Sequence, residues 1–584
     1  FRNTGTILSP PGGTNYFSVY NGDFKNSGTF QADTNAIFPL YISNGSFEEG
    51  TRFDGSGTIK LHHDSNVSCH GNMFVNGRLI FDGIISGTNT WHGPGIFDWT
   101  EGKFSYGSMT LASNLQVNAV GPLLQLGDQA YLTNDSVFHW LGGVFSSFYS
   151  VINVFENRGV MVPDKEASLF STVFRNTGTI LSPPGGTNYF SVYNGDFKNS
   201  GTFQADTNAI FPLYISNGSF EEGTRFDGSG TIKLVHESHV RYRGNIFVNG
   251  RFSFDGAISG TNTWNGPGFL DCDSGATFTD GYFALASDLH LNALFLQLSG
   301  DAHLTNYTSL EVQTVQVVDG YAFGCSIDNR GMLVLKTNCT FSGGHLKNLG
   351  TLVISGISTP GYLGMWSLNN YGTLIVAEGV SQFSGLFQTF SNYGTLELRG
   401  GSLVFDGTPL FAYPINQPLL GNCQFVLGAG YPEVPSPQIQ FQGFPTVAFN
   451  GTITVTPTNN ISITNGSTFT LVTTDIGFSS FPPNSDVHLP ILTNNLDWRV
   501  LPGANFTLRA VSPVAPTNVA RLTNGVFQFT ISGGAGSACI VEASTNLADW
   551  LVIQTNSPYT GNFNLVDMGA TNLARRFYRF HIDD

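Results

Sequence analysis

Charge is scarce in this chain of 584 residues, and the scarcity excludes several classes of protein. Asp, Glu, Lys and Arg make up 11% of the sequence, with 25 basic residues against 41 acidic ones and a net charge of −16. No basic run occurs, which argues against a nucleic-acid partner. A helical protein would need far more Glu, Lys, Ala and Arg. An apolar content of 41% excludes a disordered chain.

Long apolar runs and closely spaced cysteine pairs are also missing. No stretch approaches the roughly 20 apolar residues of a membrane-spanning helix. The cysteines are Cys69, Cys272, Cys325, Cys339, Cys423 and Cys539. None belongs to a CxxC pair, which argues against zinc. Most are expected to be small buried hydrophobes, although Cys325 and Cys339 lie close enough in sequence to meet across one coil.

Glycine, phenylalanine and internal repetition are what the chain has in abundance. With 70 Gly and 50 Phe, the composition predicts an ordered, nearly all-β protein with many tight turns. Residues 1–61 recur letter for letter at 174–234, an offset of 173 residues. The similarity continues beyond the identical part, because Asn72–Arg78 matches Asn245–Arg251. Self-similarity at a fixed period is the signature of a repeat architecture.

Inside the long repeat lies a short motif, Asn-x-Gly-Thr followed by alternating apolar residues. Neighbouring motifs mostly lie 19, 22 or 23 residues apart, the length of one coil of a parallel β-solenoid. Each Gly is expected to turn a corner at positive φ, and stacked Asn side chains are expected to form a hydrogen-bonded ladder. Alternation then predicts a core lined by residues such as Ile7, Phe30 and Leu352. The predicted corner residues are Asn3, Gly5, Asn26, Gly28, Asn176, Gly178, Asn199, Gly201, Asn348, Gly350, Asn370, Gly372, Asn392 and Gly394.

The predicted architecture is a right-handed parallel β-solenoid, followed by a cap and a small antiparallel β-sandwich. The repeats predict one solenoid block over 1–173, a second over 174–346 and a partial third over 347–412. Proline becomes frequent after Pro414 and the motif disappears, so 413–512 is interpreted as the end of the solenoid. Solenoids need atypical ends because an open last coil exposes strand edges. After a short linker, residues 518–584 show strands and turns at sandwich-like spacing.

The C-terminal region resembles a known group of proteins. The segments Gly525–Ile531, Val541–Leu547 and Arg575–Arg579 resemble the C-terminal β-sandwich of large secreted proteins from verrucomicrobial-type bacteria. In that family the sandwich follows autotransporter-like Asn-x-Gly-Thr coils, and residues 465–500 resemble the section that closes them. The resemblance implies a secreted, extracellular or surface protein without implying an activity. A sorting tail after Asp584 is missing.

Candidate metal and catalytic residues are few. His62, His63 and Asp64, with Cys69 and His70, look like a metal cluster. The matched positions of the second copy are Val235, His236, Glu237, Tyr242 and Arg243. Because most of these lack ligand character, a solvated corner is favoured. Two carboxylate pairs would suit calcium, although ordinary surface acids are favoured. These pairs are Asp98 with Glu101 and Asp271 with Asp273.

No catalytic constellation is recognisable, so an enzyme is not expected. A glycosidase needs two carboxylates at a fixed separation, and β-helix pectinases carry further Asp, Arg and Lys signatures that this chain lacks. Trp91 and Trp264 follow matched Gly-Thr-Asn-Thr segments. Each is interpreted either as a platform for a sugar ring or, more often in such corners, as a structural plug.

Two functions compete at this level. The first is an extracellular structural protein that forms a surface fibre, stalk or filament, with adhesion as a possible role. The second is a β-helix that binds or degrades carbohydrate. The first coil presents unpaired backbone groups that invite another strand, so head-to-tail self-association is expected. Polysaccharide is the other partner considered. No cofactor is predicted, and calcium is the one ion that the carboxylate pairs bring into consideration.

Overall fold

The computed structural model is an all-β protein, as the composition predicts. The structure describes residues 1–147, 153–236, 238–293, 295–317, 324–355, 361–364, 367–377, 379–383, 389–406, 417–419, 421–427, 438–442, 447–449, 451–458, 461–474, 478–480, 486–493, 496–501, 505–533 and 538–583. Packing divides the chain into two compact units. The first comprises Phe1–Val334 and Gly343–His345, and the second comprises Leu335–Ser342 and Leu346–Asp584. The predicted block boundaries at 173 and 346 remain predictions.

Strands of the solenoid follow one another around a coil, and most pair in parallel with the strand three places further along the chain. Thr6–Ser9 pairs with Thr29–Ala32, which pairs in turn with Arg52–Asp54. Parallel neighbours require a crossover rather than a hairpin, and here two further short strands provide it. The predicted parallel β-solenoid is therefore confirmed.

The core is built by strict alternation of inward and outward side chains. Phe30 and Phe53 are buried between polar neighbours that are half-buried or exposed, and their rings stack with centroids 5.8 Å apart. Phe203 and Phe226 repeat this arrangement at 6.1 Å. Full burial of one such side chain stabilises the fold by roughly 1.5–3 kcal/mol. The predicted interior position of Phe30 is confirmed.

The two identical segments adopt nearly the same conformation. In the first copy the strands are Arg2–Asn3, Thr6–Ser9, Phe17–Val19, Phe24–Asn26, Thr29–Ala32, Ile37–Ile42, Gly45–Phe47, Arg52–Asp54 and Thr58–Leu61. In the second they are Val173–Asn176, Thr179–Ser182, Gly186–Thr187, Tyr189–Tyr193, Phe197–Asn199, Thr202–Ala205, Ala209–Ile215, Gly218–Phe220, Arg225–Asp227 and Thr231–Leu234. The matched residues Asn35 and Asn208 even share a φ of 60°.

The copies differ where their neighbours differ. Phe1 is 70% exposed, whereas the matched Phe174 is buried against Phe155 with centroids 5.4 Å apart. Phe17 is half-buried and Phe190 is fully buried. Identical sequence in the two copies therefore does not give identical environments in the first coil. In the second copy another coil packs against these residues.

The other strands of the first unit continue the same pattern. They are Asn66–Cys69, Gly71–Val75, Arg78–Phe81, Ile84–Ser86, Asn89–His92, Ile96–Trp99, Lys103–Phe104, Gly107–Leu111, Gln116–Ala119, Leu123–Leu126, Ala130–Asn134, Val137–Trp140, Val144–Ser147, Val154–Asn157, Val160–Pro163, Glu166–Phe170, His239–Tyr242, Gly244–Val248, Arg251–Phe254, Ala257–Ser259, Asn262–Asn265, Phe269–Cys272, Thr277–Leu285, His290–Ala293, Phe295–Asn306, Ser309–Val317 and Ser326–Asn329. Met332–Ser342 and His345–Asn348 contain residues of both units.

Parallel coils in the second unit extend beyond the predicted limit at residue 412. Asn422–Leu427 still pairs in parallel with Ile453–Pro457, because parallel stacking needs alternation and not the Asn-x-Gly-Thr motif. The remaining parallel strands are Thr351–Ile354, Gly361–Gly364, Ser367–Asn370, Thr373–Val376, Gly379–Phe383, Thr389–Asn392, Thr395–Leu398, Gly401–Asp406, Gln417–Leu419, Ile439–Gln442, Val447–Phe449, Thr468–Thr474, Phe478–Ser480 and Val487–His488. Phe506–Val511 then pairs antiparallel with Thr468–Thr474 and Asp497–Leu501.

The C-terminal module consists of two antiparallel three-stranded sheets, as predicted. One contains Ala515–Arg521, Phe527–Ser532 and Asn562–Asp567, and the other contains Ala538–Ser544, Leu551–Asn556 and Phe577–Asp583. A short 3₁₀ helix spans Met568–Ala570. Phe529 from the first sheet and Val541 from the second belong to one buried cluster, so the sheets pack face to face.

Candidate functional site

The asparagines of the repeated motif form a buried ladder, as predicted. The side-chain amide of Asn157 donates to the Oδ1 of Asn176 at 2.6 Å, and that of Asn176 donates to Asn199 at 2.6 Å. This stretch ends at Thr224, whose hydroxyl accepts from Asn199 at 3.0 Å. All three asparagines are buried. Each amide thus satisfies its hydrogen-bonding capacity inside the fold, as buried polar groups must.

The ladder also contains residues that the motif does not identify. Asn134 and Asn306 each donate to the asparagine of the next coil, at 2.8 and 2.9 Å. The residues two places later are Ser136 and Thr308, where the motif has Gly. The spacing to the next asparagine, 23 residues in both cases, is the signal that would have found them.

The motif glycines are required for a reason that differs from the expected one. The φ of Gly201 lies outside the left-handed region, but a Cβ at this position would lie 2.2 Å from the carbonyl oxygen of Gly178. At Gly394 the corresponding distance to the oxygen of Gly372 is 2.1 Å. The prediction of positive φ is therefore wrong for the motif glycines, which are Gly5, Gly28, Gly178, Gly201, Gly350, Gly372 and Gly394. These glycines allow one coil to approach the backbone of the next.

The two tryptophans, interpreted either as sugar platforms or as structural plugs, lie inside the solenoid. Trp91 and Trp264 are both fully buried, because alternation points them inward between outward-facing neighbours. Trp91 donates from Nε1 to the Oδ1 of Asn89 at 2.7 Å. The interpretation of these two residues as polysaccharide contacts is therefore wrong. They fill the core as structural plugs.

The carboxylates considered for calcium are paired with cations and amides. Asp98 is buried and accepts from Arg78 at 2.5 Å and from Asn118 at 2.8 Å. Asp271 forms an ion pair with Arg251. Lys233 donates to Asp273 at 2.8 Å. These contacts occupy carboxylate oxygens that calcium would need, so the three aspartates are better described as ion-pair partners.

The histidine-rich group, for which the sequence favours a solvated corner over a metal cluster, is only partly assembled. His62, His63 and Asp64 offer donor atoms within 4.8 Å of one another. Burial and the neighbouring His63 lower the pKa of His62. Cys69 is buried in the core, where burial raises the pKa of its thiol, and His70 is instead hydrogen-bonded to Ser68 at 2.9 Å. Of the five candidate residues, three therefore lie together at one turn: His62, His63 and Asp64.

A cleft on the outer surface of the second copy combines aromatic side chains with a carboxylate. We name it the tyrosine cleft. It has a volume of about 310 Å³ and is lined by Glu166, Tyr189, Ser191, Tyr193, Pro212, Tyr214 and Val235. Within the strand Tyr189–Tyr193, alternation makes Ser191 a floor between two aromatic walls. Tyr193 also stacks on Phe170 at 4.7 Å and Tyr214 at 4.6 Å.

The first copy has tyrosines at the matched positions, although their rings pack differently: Tyr16 packs on Tyr41 there, whereas Tyr193 packs on Tyr214 in the second copy. Tyr16, Tyr20 and Tyr41 match the three tyrosines of the cleft, and Tyr16 and Tyr20 are 65% and 61% exposed. Tyr16 and Tyr41 lie 5.9 Å apart. Sequence reasoning missed these residues because it looked for exposed tryptophan. The signal was the spacing Tyr-x-x-x-Tyr within one strand, which points both rings to the same face.

The cysteines that the structure describes are buried. They are Cys69, Cys272, Cys325, Cys423 and Cys539. Burial raises the pKa of the Cys423 thiol to about 12. The suggested contact between Cys325 and Cys339 falls outside the side chains that the structure describes.

Two comparisons, with protein-family models and with curated proteins, give no relative for this chain. No protein-family model matches it, and a search of curated proteins finds no match either. Among the described residues, no helix is long and apolar enough to cross a membrane.

Proposed function

We propose that the protein is an extracellular structural β-solenoid that serves as a surface fibre, stalk or filament subunit, with adhesion as a further role. The observation that carries this proposal is that the buried asparagine ladder recurs from coil to coil, together with the aromatic core. Both features hold each coil of the solenoid against the next. The resemblance of the C-terminal module to secreted proteins supports an extracellular location, and the role is non-catalytic.

Self-association of the chain, head to tail, belongs to this proposal. Parallel coils carry backbone donors and acceptors toward both neighbours, so any uncovered coil can pair with a strand of another copy. A heterologous contact that does not close into a ring propagates as a filament.

Sedimentation velocity over a range of concentrations, with electron microscopy of the same samples, tests self-association. Growing rods support it, and a monodisperse 63 kDa species at every concentration contradicts it. Immunogold labelling of intact producing cells tests the surface location separately. Label confined to the cell interior would contradict that part.

Carbohydrate binding is the second candidate function, and the tyrosine cleft favours it. Tyr189 and Tyr193 supply aromatic walls, while Glu166 and Ser191 supply oxygens for sugar hydroxyls. The cleft volume of about 310 Å³ lies within the usual range of ligand sites. A net charge of −16 disfavours anionic glycans. The proposed ligand is therefore an uncharged polysaccharide.

Affinity electrophoresis in gels that contain neutral polysaccharides tests the second candidate. Retardation of the wild-type chain, with loss in Tyr189→Ala and Tyr193→Ala, supports binding in the cleft. Tyr371→Ala is the control, because Tyr371 is an exposed tyrosine elsewhere that stacks on Tyr393 at 4.9 Å. Absence of retardation with all polysaccharides, or equal loss in the control, contradicts it.

A further inference from the structure

Three donor side chains converge at the turn that follows the strand Thr58–Leu61. His62 Nδ1 lies 3.3 Å from Asp64 Oδ2, and His63 Nε2 lies 3.5 Å from Asp64 Oδ1. With metal–ligand bonds of about 2.0–2.1 Å, neighbouring ligand atoms of a tetrahedral zinc site lie about 3.4 Å apart. Each histidine therefore lies at a ligand-to-ligand distance from one oxygen of the Asp64 carboxylate, and the donor atoms of all three residues lie within 4.8 Å of one another.

The surroundings of His62 hold its ring in place. The ring packs on Tyr41 with centroids 4.0 Å apart and on His63 at 3.8 Å, and the side chain is 17% exposed. Its Nδ1 accepts a long hydrogen bond of 3.4 Å from the backbone N–H of Asp64. In the neutral ring the proton is then on Nε2. Ligation through Nδ1 would replace this long hydrogen bond.

The other two ligands are accessible and the local charge suits a cation. The side chains of His63 and Asp64 are 62% and 59% exposed, so an ion can reach them from solvent. Lys60, the nearest positive side chain in the sequence, is paired with Asp82 at 2.8 Å.

We propose that His62, His63 and Asp64 form a binding site for a divalent transition-metal ion, with solvent completing the coordination. Two imidazoles with one carboxylate suit zinc and its neighbours in the first transition row rather than calcium or magnesium. The site goes beyond the proposed structural and carbohydrate-binding functions and depends on neither.

The duplication provides a natural counterpart without the site. Val235 occupies the position of His62 in the second copy. The adjacent His236 is hydrogen-bonded through Nδ1 to the backbone oxygen of Asp255 at 2.9 Å. A chain with valine at this position therefore folds through the same strand and turn, so His62→Val is a conservative test of ligation.

The experiment uses the full chain, stripped of metal with a chelator. Zn²⁺ is titrated in competition with a chromophoric chelator, and Co²⁺ uptake is followed by its visible absorption spectrum. The wild-type chain is expected to take up one competitive equivalent of Zn²⁺ and to show a d–d band with Co²⁺. His62→Val and His63→Ala are expected to weaken this binding at least about tenfold.

The matched control is His92→Asn, which copies the counterpart Asn265. His92 is hydrogen-bonded to Asn72 at 2.8 Å, away from the three ligands. The His92→Asn variant should still bind one equivalent of Zn²⁺ and show the d–d band with Co²⁺. The site is overturned if the wild-type chain takes up no Zn²⁺ in competition with the chelator. It is also overturned if both His62→Val and His63→Ala still bind one equivalent of Zn²⁺. Circular dichroism checks that His62→Val is folded; if it is not, the comparison of His63→Ala with the control decides.

Discussion

At the scale of single residues, the solenoid depends on positions where adjacent coils come closest. Gly201 provides space for the carbonyl oxygen of Gly178, and Asn176 passes a hydrogen bond from one coil to the next. Both residues look outward-facing or turn-like in sequence. Their main contacts are instead with residues about 20 positions away, which explains why one motif recurs with such fidelity.

Replacing Gly201 should be costly through collision rather than backbone strain. Gly201→Ala would place a Cβ 2.2 Å from the oxygen of Gly178. We expect a loss of about 3 kcal/mol or more in the free energy of unfolding, at the upper end for overpacking. Gly185→Ala is the control, because Gly185 has a φ of 73° and open space around it. Its strain should cost about 1–2 kcal/mol. Equal losses in denaturant titrations would contradict the collision.

Removing one rung of the ladder should destabilise the chain. Asn176→Ala removes the side-chain oxygen that accepts from Asn157 and the side-chain amide that donates to Asn199. A buried polar group left unpaired costs about 1–3 kcal/mol, and we expect a loss of this size. Asn217→Ala, at an exposed position, should change stability by less than about 0.5 kcal/mol. Equal melting temperatures for the two variants would show that the rung is dispensable.

A carboxylate that joins two coils should make stability depend on pH. Glu222 accepts from the backbone N–H of Asn245 at 2.7 Å and from its side chain at 3.0 Å. These bonds lower the pKa of Glu222 below its usual 4.5. The stabilisation is therefore present above pH 4.5 and is lost as pH falls through the folded-state pKa.

The variant Glu222→Gln tests this dependence. It should have a lower melting temperature than the wild type at neutral pH, and the difference should shrink below pH 4.5. Glu49 is the matched residue of the first copy and accepts from the backbone and side-chain amides of Asn72 at 2.7 and 2.9 Å. Its replacement by Gln should have the same effect. A difference that stays constant across the pH range would show that ionisation is not involved.

At the scale of elements, alternation and the repeat period predict most of the fold. They identify the strands around Phe30 and the buried asparagines. They do not reveal which outward side chains line a cleft, because Tyr189 and Tyr193 become walls only when Glu166 and Tyr214 are placed beside them by neighbouring coils. The same limit applies to Trp91, whose inward direction depends on strand register.

The duplicate strands allow burial to be varied at constant local sequence. Phe17 is half-buried and Phe190 is fully buried, although their flanking residues are identical. Phe190→Ala should cost about 3–5 kcal/mol, the usual value for a core phenylalanine, and Phe17→Ala clearly less. Hydrogen exchange measured by mass spectrometry would locate each effect in its own coil. Equal losses would show that the additional coil contributes little.

At the scale of the whole molecule, the two compact units should be visible in unfolding. Solenoid stability is approximately a sum of terms between neighbouring coils, and chains with several units often depart from two-state behaviour. We expect calorimetry to show more than one transition. Asn370→Ala, in the second unit, should shift one of them and leave the other in place. A single transition with equal calorimetric and van't Hoff enthalpies would contradict this.

The exact duplication has a consequence for inheritance. Arg251–Phe254 stacks on Thr231–Leu234 in the same register as Arg78–Phe81 stacks on Thr58–Leu61. A tract of 173 residues therefore starts and finishes at equivalent points of the coil. Unequal crossing-over between two such tracts adds or deletes whole coils and leaves every remaining junction intact. The length of the solenoid is thus a trait that a lineage can change in single genetic steps, without the selection of new contacts.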